Sequence, residues 1–522
     1  MKRFALILTC LIVFGGFLAA QVINSFAIPN SETTPLPRSN IVNKIVLRGD
    51  TLWLGSGKGL GFSVDAGRSW SQLTASDSFD DKGVSALAFR NNEIWVATAY
   101  TTKLDNQSIQ TGHGLHYSAD RGRTWKFIPQ PVDTGKVDTL IYGRNRIPAL
   151  AITVPQQNVT YDIALTHNTV WIASWGGMLR KSTNQGRTWQ RIVLPPDNLN
   201  QISPSDSLRF ALSNVNKFFA SDSLYNKDTL RASLNHVMFS VYANDDSTIW
   251  VGTANGVNKS TDGGASWRKF NHQNQLKPIS GNFVVGITEQ RWGSKRIIWA
   301  ATVNAVDPDE KRGVSFSTDG GETWSTSLLG EWAHSIATRD SIVYVATDGG
   351  LYRSSDFGKS WIRSGTIYDP VTLQRFATSV VYAVGVRGEN VWAGGPDGLA
   401  HTEDSPSMAF GNTWNVFRTY QPVQASGTTY SYPLPFSPSS EVVRLHYSTS
   451  GKTVPVTIRI FDFAMQPVKT LLQNATRSGS MEHDEIWDGR DNRYRRVSNG
   501  IYFYRIEVDG GEPQWGKIFV LQ

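Results

Sequence analysis

One short phrase, Ser-x-Asp-x-Gly-x-x-Trp, returns seven times along this chain of 522 residues, the last time in degenerate form. A repeated unit constrains the fold more than composition does, because each copy must be one supersecondary piece that buries its apolar face against its neighbours. The first copy is Ser63, Asp65, Gly67 and Trp70, and the second is Ser118, Asp120, Gly122 and Trp125. The third, Ser182, Asn184, Gly186 and Trp189, has Asn in place of Asp. Ser260, Asp262, Gly264 and Trp267 follow, then Ser317, Asp319, Gly321 and Trp324, then Ser354, Asp356, Gly358 and Trp361. In the seventh copy Thr402 and Asp404 are separated by five extra residues from Gly411 and Trp414. Upstream of each copy an aromatic sits on an apolar stretch: Trp53, Trp95, Trp171, Trp250, Trp299, Tyr344 and Trp392. Thirteen of the 18 Trp residues therefore occupy repeat positions, so their expected role is packing between repeats and not stacking on sugars.

The chemistry of the phrase is that of a tight turn. A short Ser or Asp side chain accepts hydrogen bonds from the N–H groups of its own loop, replacing a ladder that the turn has broken. Gly enters the left-handed region without a Cβ clash. Trp buries a large apolar area and keeps its N–H for one partner. Four short strands with period-two alternation precede and follow each turn; in the second repeat they are expected at 84–89, 93–97, 114–118 and 124–128.

In these residues the chain resembles the Asp-box (BNR) repeat proteins, which include sialidases, other glycoside hydrolases, sortilin-type receptors and non-enzymatic propellers. The resemblance implies an all-β fold in which a seven-bladed Asp-box β-propeller spans 41–418. Each box would link the third and fourth strands of a blade at the outer rim, away from the central channel, and its Asp would be structural. Such a fold hosts many functions, so the boxes speak for architecture and not for a reaction.

Residues 1–20 read as a secretory signal peptide: Lys2 and Arg3 start it, an uncharged run follows, and Ala19-Ala20 ends it, with Ser25-Phe26-Ala27 as a second cleavage site. Cys10, the only cysteine, lies inside that run, so the exported chain would have no disulfide and no thiolate. The expected location is extracellular or at the outer cell surface, or the periplasm. Net charge is +7, part of it in the leader, and the basic residues are not blocked into runs. That excludes a nucleic-acid footprint, and leaves the membrane only through the leader or surface attachment.

A Pro- and Ser/Thr-rich lead-in occupies 21–40. Insertions at 101–113, 131–156, 195–235 and 307–312 interrupt the repeats. Within 195–235, Leu208, Ala211, Leu212, Val215, Phe218 and Phe219 fall at helical spacing and predict a helix. Insertions of this kind gather on one face and often carry binding. After a polar linker at 419–429, composition changes. Residues 430–522 hold Tyr432-Pro433-Leu434-Pro435-Phe436-Ser437-Pro438-Ser439, the turn Trp487-Asp488-Gly489-Arg490-Asp491, and the strand Gly500-Ile501-Tyr502-Phe503-Tyr504-Arg505. This region resembles the Ig-like domain of the flagellar hook-capping protein (FlgD) and the C-terminal modules of secreted proteins from Bacteroidetes-like bacteria. The resemblance implies a small Ig-like β-sandwich that serves export, through the type IX secretion route, or attachment.

Candidates for chemistry are few. Arg146-Ile147-Pro148 matches the sialidase triplet whose Arg helps clamp a substrate carboxylate, a task for which a guanidinium is suited. It lies between the second and third boxes, where that family does not place it. Asp307, Asp309 and Glu310 share one loop, and paired carboxylates could serve glycoside hydrolysis if they faced each other across a cleft. His113 and His116 lack a third ligand, and the nine His residues show no metal-ligand spacing. No cofactor motif is present. The expectation is a non-catalytic binding or structural module for an unknown protein or glycan ligand; the alternative is a glycoside hydrolase, sialidase-like or glucanase-like. A channel mouth lined by hydroxyls and apolar side chains would favour binding.

Overall fold

The computed structural model describes residues 24–27, 33–34, 37–73, 79, 82–105, 107–135, 137–214, 232–372, 374–405, 410–418, 429–439, 441–478 and 482–522. The expected leader lies outside the described residues. Seven antiparallel sheets account for the repeats, each built on a meander of four consecutive strands, with a fifth outer strand added in three of them. Their innermost strands are Val42–Arg48, Gly83–Arg90, Thr160–Leu165, Met238–Ala243, Phe283–Trp292, Ala333–Arg339 and Ala383–Arg387. Each touches the next, and the last touches the first. The sheets are thus the blades of a closed β-propeller. Each blade draws its four meander strands from one continuous stretch, so among the described residues the ring closes by packing of the first blade on the seventh and not by an exchanged strand. Within the lead-in, Asn24–Ala27 pairs with the outer strand of the second blade and Thr33–Thr34 with that of the first.

Burial follows from this stacking. The second strand of the fourth blade, Ile249–Thr253, is buried at every residue because both of its faces meet a blade or a sheet neighbour. In the second blade the middle hairpin is lengthened, with strands Glu93–Leu104 and Gln107–Ser118.

Between the second and third blades the chain forms a separate hairpin, Val137–Tyr142 with Asn145–Leu150. Its tip reaches the fourth blade, where the Tyr142 hydroxyl donates to the Ala265 carbonyl at 2.7 Å. This hairpin overturns the helix expected in the 195–235 insertion over its described part. Leu212 N–H donates to Pro148 O at 2.8 Å and Leu150 N–H to Leu212 O at 3.0 Å, so the chain at 208–214 is extended. The hairpin edge supplies backbone partners that a short isolated helix would have to make within itself at marginal stability. Phe210 and Leu212 bury beside Ile147 and Trp171 instead. The remaining expected helix positions, Val215, Phe218 and Phe219, lie outside the described residues.

The C-terminal region packs a three-stranded sheet (Tyr430–Tyr432, Val443–Ser448, Glu482–Trp487) on a four-stranded one (Pro467–Arg477, Val454–Phe461, Gly500–Val508, Gln514–Val520). Val443, Leu445, Tyr447 and Trp487 from the first meet Ile458, Ile460, Tyr504 and Ile518 from the second in one core. The Trp487 indole N–H donates to Arg490 O at 2.9 Å, which pins the turn between them.

Candidate functional site

The repeat turns fix which face of the propeller is free. In each of the first six blades the box lies between the third and fourth strands. In the fourth, the Ser260 hydroxyl donates to Asp262 Oδ1 at 2.8 Å and accepts from Gly264 N–H at 2.8 Å. Asp262 then accepts Ser266 N–H at 2.8 Å, and the Trp267 indole donates to Gly264 O at 3.2 Å. The same Ser-to-Asp and Gly-to-Ser bonds recur at Ser63, Ser118, Ser317 and Ser354. Asn184 takes the Asp place at Ser182 with a neutral amide, accepting from Ser182 and from Thr188 N–H, both at 3.0 Å. Gly264 has φ +85°, and a Cβ there would lie 2.6 Å from the Trp171 ring of the preceding blade. The seventh blade departs from the pattern. The Asp404 carboxylate is held by Arg353 Nε at 2.6 Å and by the Tyr344 hydroxyl, both from the sixth blade.

The bonds that shape these turns also hold box carboxyls low. Hydrogen bonds from the Ser69 hydroxyl, then its N–H, then Ser63, hold the Asp65 carboxyl at about 2. Burial pushes Asp319 up, but donors on Thr323 and Ser317 outweigh it and leave it at about 2. A carboxyl near 3.9 in the unfolded chain and near 2 in the fold binds a proton better when unfolded. The stabilisation is therefore complete above about pH 4 and is lost as pH falls through about 2. Melting temperature should drop most steeply between those values, and Asp65→Asn, which reproduces the Asn184 arrangement, should make the drop shallower. Circular dichroism melts across pH 2–7 check this, and an unchanged slope in the Asn variant would contradict it.

Strands alternate in direction, so the box turns and the turns joining first to second strands share one end of the propeller. The second-to-third turns and the crossings between blades share the other. All four insertions start from that second end. So do most exposed large apolar side chains of the propeller, including Trp175, Leu276, Val306, Trp332 and Val371.

The innermost strands also begin there, and in six blades they bulge near their start. The extra residue is Asn43, Ser85, Tyr161, Phe239, Val285 or His334, and Tyr382 holds the equivalent place in the seventh blade. A bulge re-aims a side chain, here at the channel mouth. Phe239 is 5.4 Å from Trp175, 6.3 Å from Tyr161 and 5.6 Å from Phe283, ring centre to ring centre. Further round the ring, His334 stacks 6.3 Å from Trp332 and meets Tyr382 edge-on at 5.3 Å. His334 and Tyr382 also line a cavity of about 360 Å³, together with Lys44, Asp162, Thr288, Ser335 and aliphatic residues of five blades.

None of the residues singled out for catalysis reaches this mouth. Arg146 is exposed on the outer hairpin. Glu310 is buried and accepts from Asn282 N–H at 2.9 Å, Asn282 Nδ2 at 2.7 Å and Ala305 N–H at 2.6 Å. Asp307 accepts from Gln273 and Asp309 N–H. That loop spends its carboxylates on its own shape and does not set two of them across a cleft. His113 and His116 share the Thr98 hydroxyl at 3.1 Å each, and burial lowers both imidazoles, His116 strongly. Among the described residues no three His, Cys, Asp or Glu side chains group as a metal site would require, and no helix is long and apolar enough to cross a membrane.

Fold and mouth together define a β-propeller protein with an axial cavity and an appended two-sheet module. No known family profile matches the chain, and no curated protein matches it by sequence. Among solved structures it is similar to YCF48 from Cyanidioschyzon merolae at 16% identity, covering 73% of this chain and 97% of that one, TM-score 0.40. It is similar to a GH74 enzyme from Niastella koreensis at 12% identity over 94% and 73%, TM-score 0.46. PorZ, a bacterial surface component of the type IX secretion system of Porphyromonas gingivalis, aligns at 11% identity over 92% and 81%, TM-score 0.32.

Proposed function

We propose that this protein is an exported β-propeller of the Asp-box class that binds a protein or glycan ligand at its channel mouth without catalysing a reaction on it. The observation that carries this is the convergence of Tyr161, Trp175, Phe239, Phe283, Trp332, His334 and Tyr382 around the opening of an axial cavity, on the face from which every insertion starts. Concave aromatic surfaces with a few polar groups below them are the ordinary form of a binding site. The turn chemistry repeated in six blades supports the Asp-box assignment, with the box carboxylates as structural groups. The two-sheet packing of 430–522, with its Trp487-Asp488-Gly489 turn, supports an Ig-like module of the FlgD kind, used for export or for attachment at the cell surface.

The test is a combined peptide, glycan and polysaccharide array on purified protein, read for binding and for release of reducing ends. Wild type should retain a ligand and release none. Trp175→Ala with Phe239→Ala should weaken retention at least about tenfold, since one stacked ring contributes about 1 kcal/mol and two are removed. Release of reducing ends would favour the hydrolase alternative, and unchanged retention would move the site elsewhere.

A further inference from the structure

Below the aromatic mouth the channel is kept open by small side chains. At the position after the bulge, three blades place Gly286, Ser335 and Ala383 against the cavity, and two others place Lys44 and Asp162 there. The two charges are not equivalent. Asp162 accepts the N–H groups of Ile163 and Val241, both at 3.0 Å, so its oxygens are already engaged. Burial pushes its carboxyl up from the ordinary value, with the charge of Lys44 opposing. Lys44 has no carboxylate within ion-pair distance among the described residues. The hydroxyls of Thr288, Ser335 and Tyr382, which line the same cavity, make no hydrogen bond among those residues either. An ammonium that feels Asp162 without closing an ion pair to it, and three hydroxyls with no hydrogen bond among the described residues, line one cavity as donors open to an acceptor.

The walls say what kind of acceptor. Ile45, Val46, Leu87, Ile287 and Ile336 surround the donors, and among the described residues no arginine lines the cavity. A sugar ring placed there would turn its hydroxyls against aliphatic carbon and leave them unpaired, which is costly. A carboxylate on an aliphatic body would leave nothing unpaired. Above it, the innermost strands are sheet edges, and edge main-chain groups are available to an extended backbone.

We propose that the axial cavity seats the C-terminal carboxylate and last side chain of an extended peptide, with Lys44 as the carboxylate partner and the aromatic mouth as the bed for the residues before it. This rests on the assignment of the mouth as the binding face, and the experiment separates the two. The full-length exported chain is probed with a library of peptides in two forms, free acid and C-terminal amide, alongside oligosaccharides that end in a uronic acid. Peptides should be retained as free acids and at least tenfold less as amides, a difference of about 1.4 kcal/mol. Lys44→Met, nearly the same length without the charge, should abolish the acid-over-amide preference while melting as wild type does. Asp162→Asn should keep the preference, and so shows that loss in the Met variant is not general damage to the channel. Equal retention of acids and amides by wild type overturns the proposal, as does a preference that survives Lys44→Met. Retention of uronic acids alone overturns it while leaving the mouth as a binding face. Retention of nothing by wild type overturns both.

Discussion

Replacing Trp299 by alanine should destabilise the propeller by about 3–5 kcal/mol, the range for deleting a buried indole. Trp299 is fully buried, and its ring centre lies 4.5 Å from Phe316 in its own blade and 6.4 Å, edge-on, from Trp361 in the next. A Cβ on Gly358 would come within 2.8 Å of the same ring, so the fifth blade's indole fills the hollow under the sixth blade's box turn. Its N–H donates to Gln290 Oε1 at 3.0 Å, and Gln290 is itself buried. Truncation therefore opens a cavity between two blades and strips a buried amide oxygen of a donor, and both effects have the same sign. Trp292, on the same blade but 46% exposed, is the control; its replacement should cost within about 0.5 kcal/mol. Urea unfolding followed by circular dichroism decides it. Equal shifts for the two variants would mean that the opening aromatic of a repeat is not what joins successive blades.

The repeat made that position visible before any coordinates, because Trp is rare and the spacing from it to the turn is short. What the repeat did not show is the residue paired with it across the sheet. Phe62, Tyr117, Lys181, Lys259, Phe316, Arg353 and His401 all stand opposite the opening aromatic. They share no composition, since the face of an aromatic ring accepts another ring or a cation equally well. Lys259 Nζ sits 4.8 Å from the Trp250 ring centre, and Phe62 lies 4.8 Å from Trp53. The ring of bulge residues was hidden for a related reason. Tyr161, Phe239 and His334 follow no common pattern along the chain, and only closure of the circle brings them to one mouth. Lys44 and Asp162 are more than one hundred residues apart in sequence and meet only because the first and third blades face the same axis. The helix expected at 208–219 failed over its described part because periodicity is blind to an edge strand elsewhere in the chain that offers backbone partners.

Asp404 shows how a repeat position changes its work, and its removal is the second large effect to expect. In sequence it stands where a box Asp stands. In the fold its side chain is 5% exposed and lies between blades, accepting from Arg353 Nε at 2.6 Å, from Arg339 Nη2 at 3.4 Å and from the Tyr344 hydroxyl. Burial, then the bond to Asp404, raises the Tyr344 phenol above its ordinary value. Arg353 immediately precedes Ser354, as Lys259 precedes Ser260, and Lys259 donates to Gly320 O in the next blade's box at 2.8 Å. With the seventh box degenerate, a carboxylate takes the place of that carbonyl. Asp404→Ala would leave two guanidinium groups, each 16% exposed, facing one another without a counter-charge. Breaking such a pair by removing one partner costs about 3–5 kcal/mol, most of it from the stranded charges. Asp404→Asn keeps an acceptor and should cost less. Arg353→Met added to Asp404→Ala should recover part of the loss, because it removes one stranded cation. A double variant less stable than Asp404→Ala alone, by the sum of the single effects, would mean that Asp404 and Arg353 act independently and that the sixth and seventh blades are joined by packing alone.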